Sequence, residues 1–418
     1  MGHAKLTDQD HSAQWPAFLK EAAKAKQDPR VWQSSADPLL VIMGSVSSEA
    51  ELQRLVSKNV VTQVLDTYDE QFAELQLSLH AHLYRANQTV QRNSIKKALA
   101  DHYGAKKSWQ LGAWVYFPWS CQLVHILDPK NFIKLRTIRN QDLITSEQQQ
   151  TLYDFSVGCV GMSVGSASAL SLVQSGISQK IKIADGAVIS GSNLNRILTG
   201  VSSVGLEKSL VISRLLYEMN PFIKVIRHGK VTKSNIGDLF DGGWPLQTII
   251  DEIDDLEVKI RLRIAAKKRK IPVLMATELA DAVMLDVERF DLEADRPLFH
   301  GLVPDIETIL DKPEMSHRQW MKYAVKIIGP HNMPLNMQKS LLKIGSSIVT
   351  HPQLGSTVMV TGGMTTYAVK QIALSKPLPS GRTSISLDDA LVADYRKFSY
   401  RRKHRKHTKV IVKAVDSM

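Results

Sequence analysis

FSVGCVG (residues 155–161), running into MSVGS (162–166) and followed by KIKIADG (180–186), is the stretch on which the fold of this chain turns. The first run is short, apolar and ends on glycine, and SASALSLVQSG (166–176) after it has helical periodicity. Strand, tight turn and helix make the first half of a βαβ unit. Gly161 and Gly165 let the backbone come close to a phosphate, and the free N–H groups at the helix start favour an anion. The G-x-G-x-x-G spacing is not met, because Ser163 stands where a glycine is common. Asp185 ends the next strand about 20 residues past the turn, where a ribose-binding carboxylate belongs in such folds. A plain βα turn and a helix-capping carboxylate would use the same residue types. That both occupy positions set by one unit favours a nucleotide.

Outward from this unit, short apolar runs alternate with helical stretches. IKVIRHG (223–229), QTIIDEI (247–253) and KIPVLMAT (270–277) are expected strands, and EKSLVISRLLYEMN (207–220) and DLEVKIRLRIAAKKR (255–269) expected helices. This alternation predicts an α/β, doubly wound, mostly parallel sheet with helices on both faces. Residues 354–379 resemble a further strand and helix. Before residue 128 the pattern differs: apolar residues such as Leu52, Leu55, Leu75, Leu79 and Leu83 recur at helical spacing, and LGAWVYFPWSCQLVHIL (111–127) reads as a hairpin. The expected organisation is an N-terminal α+β domain over 1–128, a nucleotide-binding domain over 129–390 and a basic tail over 391–418.

The 418 residues, 44% of them hydrophobic, suffice for a real core. No apolar run of about 18 residues is present, so we expect a soluble, cytoplasmic protein with no membrane partner. Two cysteines, Cys121 and Cys159, exclude a disulfide framework and a four-thiolate zinc site. Much of the excess charge of +12 lies in YRRKHRKHTKVIVK (400–413), which points weakly to a nucleic-acid partner.

The segment from Asp185 through Ala187 to Ser192, Asn193, Leu194, Asn195 and Arg196 resembles the D-x-D-x-V-x-x-S-N-L-N-R signature of ubiquitin-activating, ThiF and MoeB-like adenylating enzymes. The likeness continues through Gly205 to Lys208, similar to the family's I-G-x-x-K, and through IIDEIDD (249–255), similar to its strand ending in a metal-binding aspartate. It spans about residues 132–302 and, more weakly, 350–388. The resemblance implies a Rossmann-like fold and an ATP- and Mg²⁺-dependent adenylation of a carboxylate. It makes Gly161, Ser163 and Gly165 the turn under the nucleotide and Asp185 the ribose ligand. Asn193, Arg196 and Lys208 would face the phosphates, and Asp254 would hold the metal. LRTIRNQ (135–141) resembles the family's R-Y-x-R-Q helix, which makes Arg139 a group supplied across a homodimer. The substrate carboxylate would be the C-terminus of a peptide or a ubiquitin-like protein.

Three departures qualify the match. Ala187 replaces the second acidic residue of D-x-D, no C-x-x-C pair exists, and no cysteine follows Asp254 where thioester-forming members keep their nucleophile. Two rivals therefore remain: a tRNA- or nucleic-acid-modifying member of the same superfamily, and a non-catalytic dinucleotide- or FAD-binding protein. Asp281, Asp286, Glu288, Asp291 and Glu293 read as a solvated strand-loop edge, His300 as a structural histidine, and Cys159 as a buried apolar residue.

Overall fold

The computed structural model describes residues 14–22, 35–45, 47–311 and 316–416. Its contacts divide the chain into two units, one of residues 1–149 with 217–222 and one of residues 150–216 with 223–418. The sequence pattern put the boundary at 128. The helix Pro129–Thr137 accounts for the first part of the difference, because its Phe132 and Leu135 pack on the apolar cluster around Tyr68, Phe72 and Leu127 of the first unit.

In the first unit, strands β1 (Leu39–Ile42), β2 (Gln63–Asp66), β3 (Ala113–Phe117) and β4 (Gln122–Ile126) form a sheet of order β1-β3-β4-β2. The expected hairpin is the antiparallel β3/β4 pair, while the first two strands were not read from the sequence. Helices α1 (Ser48–Lys58), α2 (Tyr68–Leu79) and α3 (Gln88–Tyr103) are the expected helices of this region. Fully buried His125 stacks between Trp114 (4.3 Å between ring centroids) and Tyr68 (4.8 Å), and its Nδ1 is 2.8 Å from Asp66. A buried polar ring is tolerated there because both its nitrogens have partners.

The second unit is built on seven strands: β5 (Val157–Val160), β6 (Lys180–Ala184), β7 (Lys224–His228), β8 (Thr248–Asp251), β9 (Val273–Leu279), β10 (Ala282–Glu288) and β11 (Gly381–Ser386), in the order β11-β10-β9-β8-β5-β6-β7. The pairs among β5 to β9 are parallel, and β10 and β11 add an antiparallel edge. The mostly parallel α/β sheet is thus as expected. Every residue of β5 and β8 is buried, the mark of strands covered on both faces. Among the described residues, its helices of seven or more residues that begin within the unit are α4 (Gly165–Gln174), α5 (Lys208–Met219, whose last residues, from Tyr217, fall in the first unit), α6 (Leu256–Lys268), α7 (His317–Ile328), α8 (Leu335–Leu341), α9 (Gly355–Ala373) and α10 (Phe398–Asp416).

Two expectations are corrected here. Residues 355–373 are one helix with no strand, despite the β-branched run TVMVT. Its small residues let it lie close to α4: a Cβ at Gly362 would come 2.7 Å from the Ala167 carbonyl, and Thr365 donates to Ser168 at 2.9 Å. Burial of that face overrides strand propensity. The basic stretch is the helix α10, docked on one side. Its Ile411 is 3% exposed in a cluster with Met333 and Met337, and its Thr408 accepts from the Gln338 amide. Arg401, Arg402, Lys403, Arg405, Lys406, Lys409 and Lys413 occupy the exposed side.

Chain order reverses on either side of β5, which has β6 as one neighbour and β8 as the other. The crevice beyond the carboxyl ends of β5 and β8 is where such sheets bind ligands.

Candidate functional site

β5 delivers the chain to Gly161, whose φ is +91° and where a Cβ would overlap the Glu252 carbonyl. Only glycine allows this turn and the loop after β8 to lie so close. The turn leads into α4 at Gly165. Asp185, at the end of β6, accepts from the Met162 N–H through Oδ2 and from the Ala187 N–H through Oδ1, both at 2.7 Å. The carboxylate thus braces the glycine turn, and each oxygen keeps a lone pair for a further donor such as a ribose hydroxyl.

The short helical turn Gly191–Asn195 is closed by Asn193, whose side-chain oxygen accepts from the Ser190 N–H at 3.0 Å. Asn193 is 6% exposed and shapes the loop. That shape aims Arg196 back across the crevice: its Nε donates to Ser163 Oγ (3.1 Å) and its Nη1 to Asn195 Oδ1 (2.9 Å) and the Ser192 carbonyl (3.2 Å). Ser163 and Arg196, far apart in sequence, meet. Burial lowers the proton affinity of the guanidinium while the carboxylates of Glu278 and Asp254 oppose it, and an arginine so placed stays charged. Lys208 opens α5, its N–H bonded to the Ala187 carbonyl at 2.9 Å. Its ammonium has no ion-pair partner among the described residues.

The acidic wall comes from the end of β8, where four carboxylates follow one another with different fates. Asp251 is fully buried between Arg263 (2.6 Å) and Lys259 (3.2 Å), and Arg263 reaches on to Glu288 (2.6 Å). Burial alone would raise the Asp251 carboxyl; Lys259 and Arg263 outweigh it and hold it below the ordinary range. Asp255 caps α6, accepting from the Val258 N–H at 3.2 Å. Glu252 accepts from the Ala276 N–H at 3.0 Å, and burial, then Glu278, push its carboxyl well above the usual value. Asp254 is exposed and makes no hydrogen bond or ion pair among the described residues.

Sequence reasoning missed Glu252 and Glu278. Glu278 is 7% exposed on β9, accepts from Thr361 Oγ1 (3.1 Å) and Gln353 Nε2 (3.3 Å), and is pushed up to about 7, chiefly by burial. The available signal was a lone glutamate inside the apolar run VLMATEL, since a charged residue in a buried strand is seldom idle.

The reading of the 278–301 segment as a solvated edge holds for Glu293, which is exposed, and is corrected for Asp286 and Glu288. Asp286 and Glu288 are 2% and 1% exposed on β10. Asp286 holds Arg382 (2.7 Å) and the Nε2 of His300 (2.9 Å), while Arg296 donates to His300 Nδ1 at 2.7 Å. Both ring nitrogens of His300 are therefore committed. Arginines supplied from distant segments made these carboxylates buriable. Cys159 is fully buried in β5, its thiol pushed up by burial, and Cys121 is buried in the first unit. Arg139 lies in the turn Ile138–Asn140 of the first unit.

The ThiF family model matches residues 135–409. The chain belongs to the ThiF family. An uncharacterized protein of Mycobacterium tuberculosis, MT1398, is 35% identical over 280 residues, which cover 66% of this chain. The matched part spans 38% of the length of that curated relative. Among solved structures, PaaA is similar with a TM-score of 0.44 at 20% identity, over 62% of this chain and 77% of its own. E. coli MccB with ATP has a TM-score of 0.40 at 18% identity, over 58% and 63%. The E. coli tRNA N6-threonylcarbamoyladenosine dehydratase TcdA has 0.41 at 18%, over 58% and 95%. No helix among the described residues is long and apolar enough to cross a membrane.

Proposed function

We propose that this ThiF-family chain binds ATP in the crevice between β5 and β8 and adenylates a carboxylate. The observation that carries the reading is the meeting of Arg196 with Ser163 of the glycine turn, opposite the unpaired carboxylate of Asp254 and with the unpaired ammonium of Lys208 on the same loop system. A triphosphate needs fixed cations and a metal-binding carboxylate, and this set supplies both. A dinucleotide-binding oxidoreductase has no use for it.

In the reaction a carboxylate oxygen attacks the α-phosphorus of ATP. The new P–O bond forms as the bond to the β-phosphate oxygen breaks, giving an acyl adenylate and pyrophosphate. The chain's part is positioning and charge stabilisation by Arg196 and Lys208. Mg²⁺ fits the donor set, for Asp254 is an exposed hard oxygen ligand, and the ion would neutralise phosphate charge there. This half needs no thiol nucleophile, because the carboxylate oxygen itself attacks phosphorus, and both cysteines are buried.

The carboxylate belongs to a peptide or ubiquitin-like C-terminus in this reading, and the working unit is a homodimer with Arg139 completing the partner's site. A second reading, a nucleic-acid substrate, is favoured by the exposed cations of α10. Because the other side of α10 is packed, charge substitutions on it test that reading better than deletion. The main test is ATP–pyrophosphate exchange: Asp254→Ala should abolish it with the circular dichroism unchanged, since Asp254 is exposed and makes no hydrogen bond or ion pair among the described residues. Undiminished exchange in that variant sinks the metal assignment.

A further inference from the structure

The helix α10 has one docked side and one side turned to solvent. His404, Thr408 and Ile411 make the docked side: His404 Nε2 donates to the Met333 carbonyl at 2.8 Å, Thr408 accepts from Gln338 at 2.9 Å, and Ile411 packs with Met333 and Met337. At about 100° per residue, Arg401, Arg402, Arg405, Lys406, Lys409 and Lys413 fall within an arc of about 140° turned away from that side. All six are exposed. With a rise of about 1.5 Å per residue they form a strip about 18 Å long.

Nothing on the helix offsets this charge. Asp416, its last residue, is its only acidic one, and its first turn has none where the helix dipole opposes cations. None of the six makes an ion pair among the described residues, and Lys397, which pairs with Asp394 at 2.6 Å, precedes the helix. Arg401 and Arg405, Arg402 and Lys406, Arg405 and Lys409, and Lys409 and Lys413 repel one another at i, i+4 spacing. Docking thus holds like charges in a row that only solvent and salt screen.

An extended polyanion matches a straight row of cations, and the surroundings of the row select which one. A helix that binds a lipid surface puts its apolar side into the membrane, and here that side is taken up by Met333 and Met337. Single strands are held by bases stacked on successive aromatic rings. On this side of α10 the one aromatic is Phe398, ahead of the first cation, while Tyr400, His404 and His407 are half-buried. Among duplexes, the B-DNA major groove, about 12 Å wide, admits an α-helix of about 10–12 Å diameter, whereas that of A-form RNA is too narrow for side chains.

We infer that α10 is a docking strip for double-helical DNA, laid along the major groove with its cations on the flanking phosphates. The strip has no Asn or Gln, and contacts to phosphates carry no sequence information, so the binding is indifferent to sequence. It stands apart from the adenylation reading: the DNA is a surface on which the chain sits, and not the molecule it modifies.

The test is fluorescence anisotropy of a labelled DNA duplex of about 20 base pairs with the full chain, without ATP, from about 50 to about 200 mM salt. Four to six phosphate contacts give a slope of log K against log salt of about −4 to −5. Arg405→Gln combined with Lys409→Gln should make that slope shallower by about 2. Lys96→Gln combined with Lys97→Gln, an exposed pair on α3 of the first unit, should leave it unchanged. Circular dichroism like that of the wild type shows that neither variant has lost its fold. No binding at about 50 mM salt, or an equal effect of the two double variants, overturns the proposal. So does tighter binding of the single strand, of duplex RNA, of poly-L-glutamate or of phosphatidylglycerol vesicles at the same salt.

Discussion

Replacing Arg263 by leucine removes the centre of a buried charge network while filling much of its volume. The guanidinium is fully buried, 2.6 Å from both Asp251 and Glu288, and lies 3.9 Å over the Phe299 ring. Without it, two buried carboxylates lose their counter-charge, a change that costs about 3–5 kcal/mol. Lys259 stays 3.2 Å from Asp251 and Phe299 still donates its N–H to Glu288, which places the expected loss near the lower end, about 3 kcal/mol. At roughly 2–4 °C per kcal/mol for a domain of this size, the melting transition of the second unit should fall by about 6–12 °C at pH 7. The pH dependence has a definite sign. In the wild type the Asp251 carboxyl is held below its ordinary value of 3.8, so its contribution is present above that pH and is lost as pH falls through the lower folded value. The deficit of the variant should therefore be full at pH 7 and narrow in acid, below about 4. Scanning calorimetry of both proteins at pH 7 and in acid measures this. A loss under about 1 kcal/mol at pH 7, or a deficit independent of pH, refutes the argument that Arg263 neutralises these carboxylates.

Arg196→Ala and Lys208→Ala should each weaken ATP by about 1.5–3 kcal/mol and leave adenosine nearly unaffected; equal losses for both ligands in calorimetry would show that these side chains do not face phosphates. Mixing an inactive Arg139→Ala chain with an inactive Asp254→Ala chain should restore roughly a quarter of wild-type exchange, since half the dimers are mixed and each has one intact site. No recovery after demonstrated subunit exchange removes Arg139 from the site. Glu278, raised to about 7, contributes stability that is present in acid and lost as pH rises from about 4.5 through 7. Glu278→Gln should remove that dependence, so its melting temperature relative to wild type should be higher at pH 8 than at pH 5; a parallel pair of melting curves would contradict the burial of an ionising carboxyl there.

The alternation of apolar runs and helical stretches from Phe155 to Leu279 was enough to read the parallel sheet, because strands covered on both faces must be apolar throughout and the helices between them amphipathic. The glycine turn and Asp185 stood out because a βαβ unit of this kind fixes residue types at set spacing, whereas Arg196, Lys208 and Asp254 stood out only through the resemblance to the adenylating-enzyme signature. What the sequence could not decide depends on partners distant in the chain. Which of the carboxylates at 251–255 is buried and which is open was settled by Arg263 and by the start of α6. Asp286 became buriable through Arg382, nearly a hundred residues away, and Glu278 became a buried group only when α9 and the 344–353 loop came to lie beside it. The one-sided docking of α10 followed the same rule. Its charges alone read as a solvated tail, and the apolar and hydroxyl positions between them found a surface that only the folded helices α7 and α8 create.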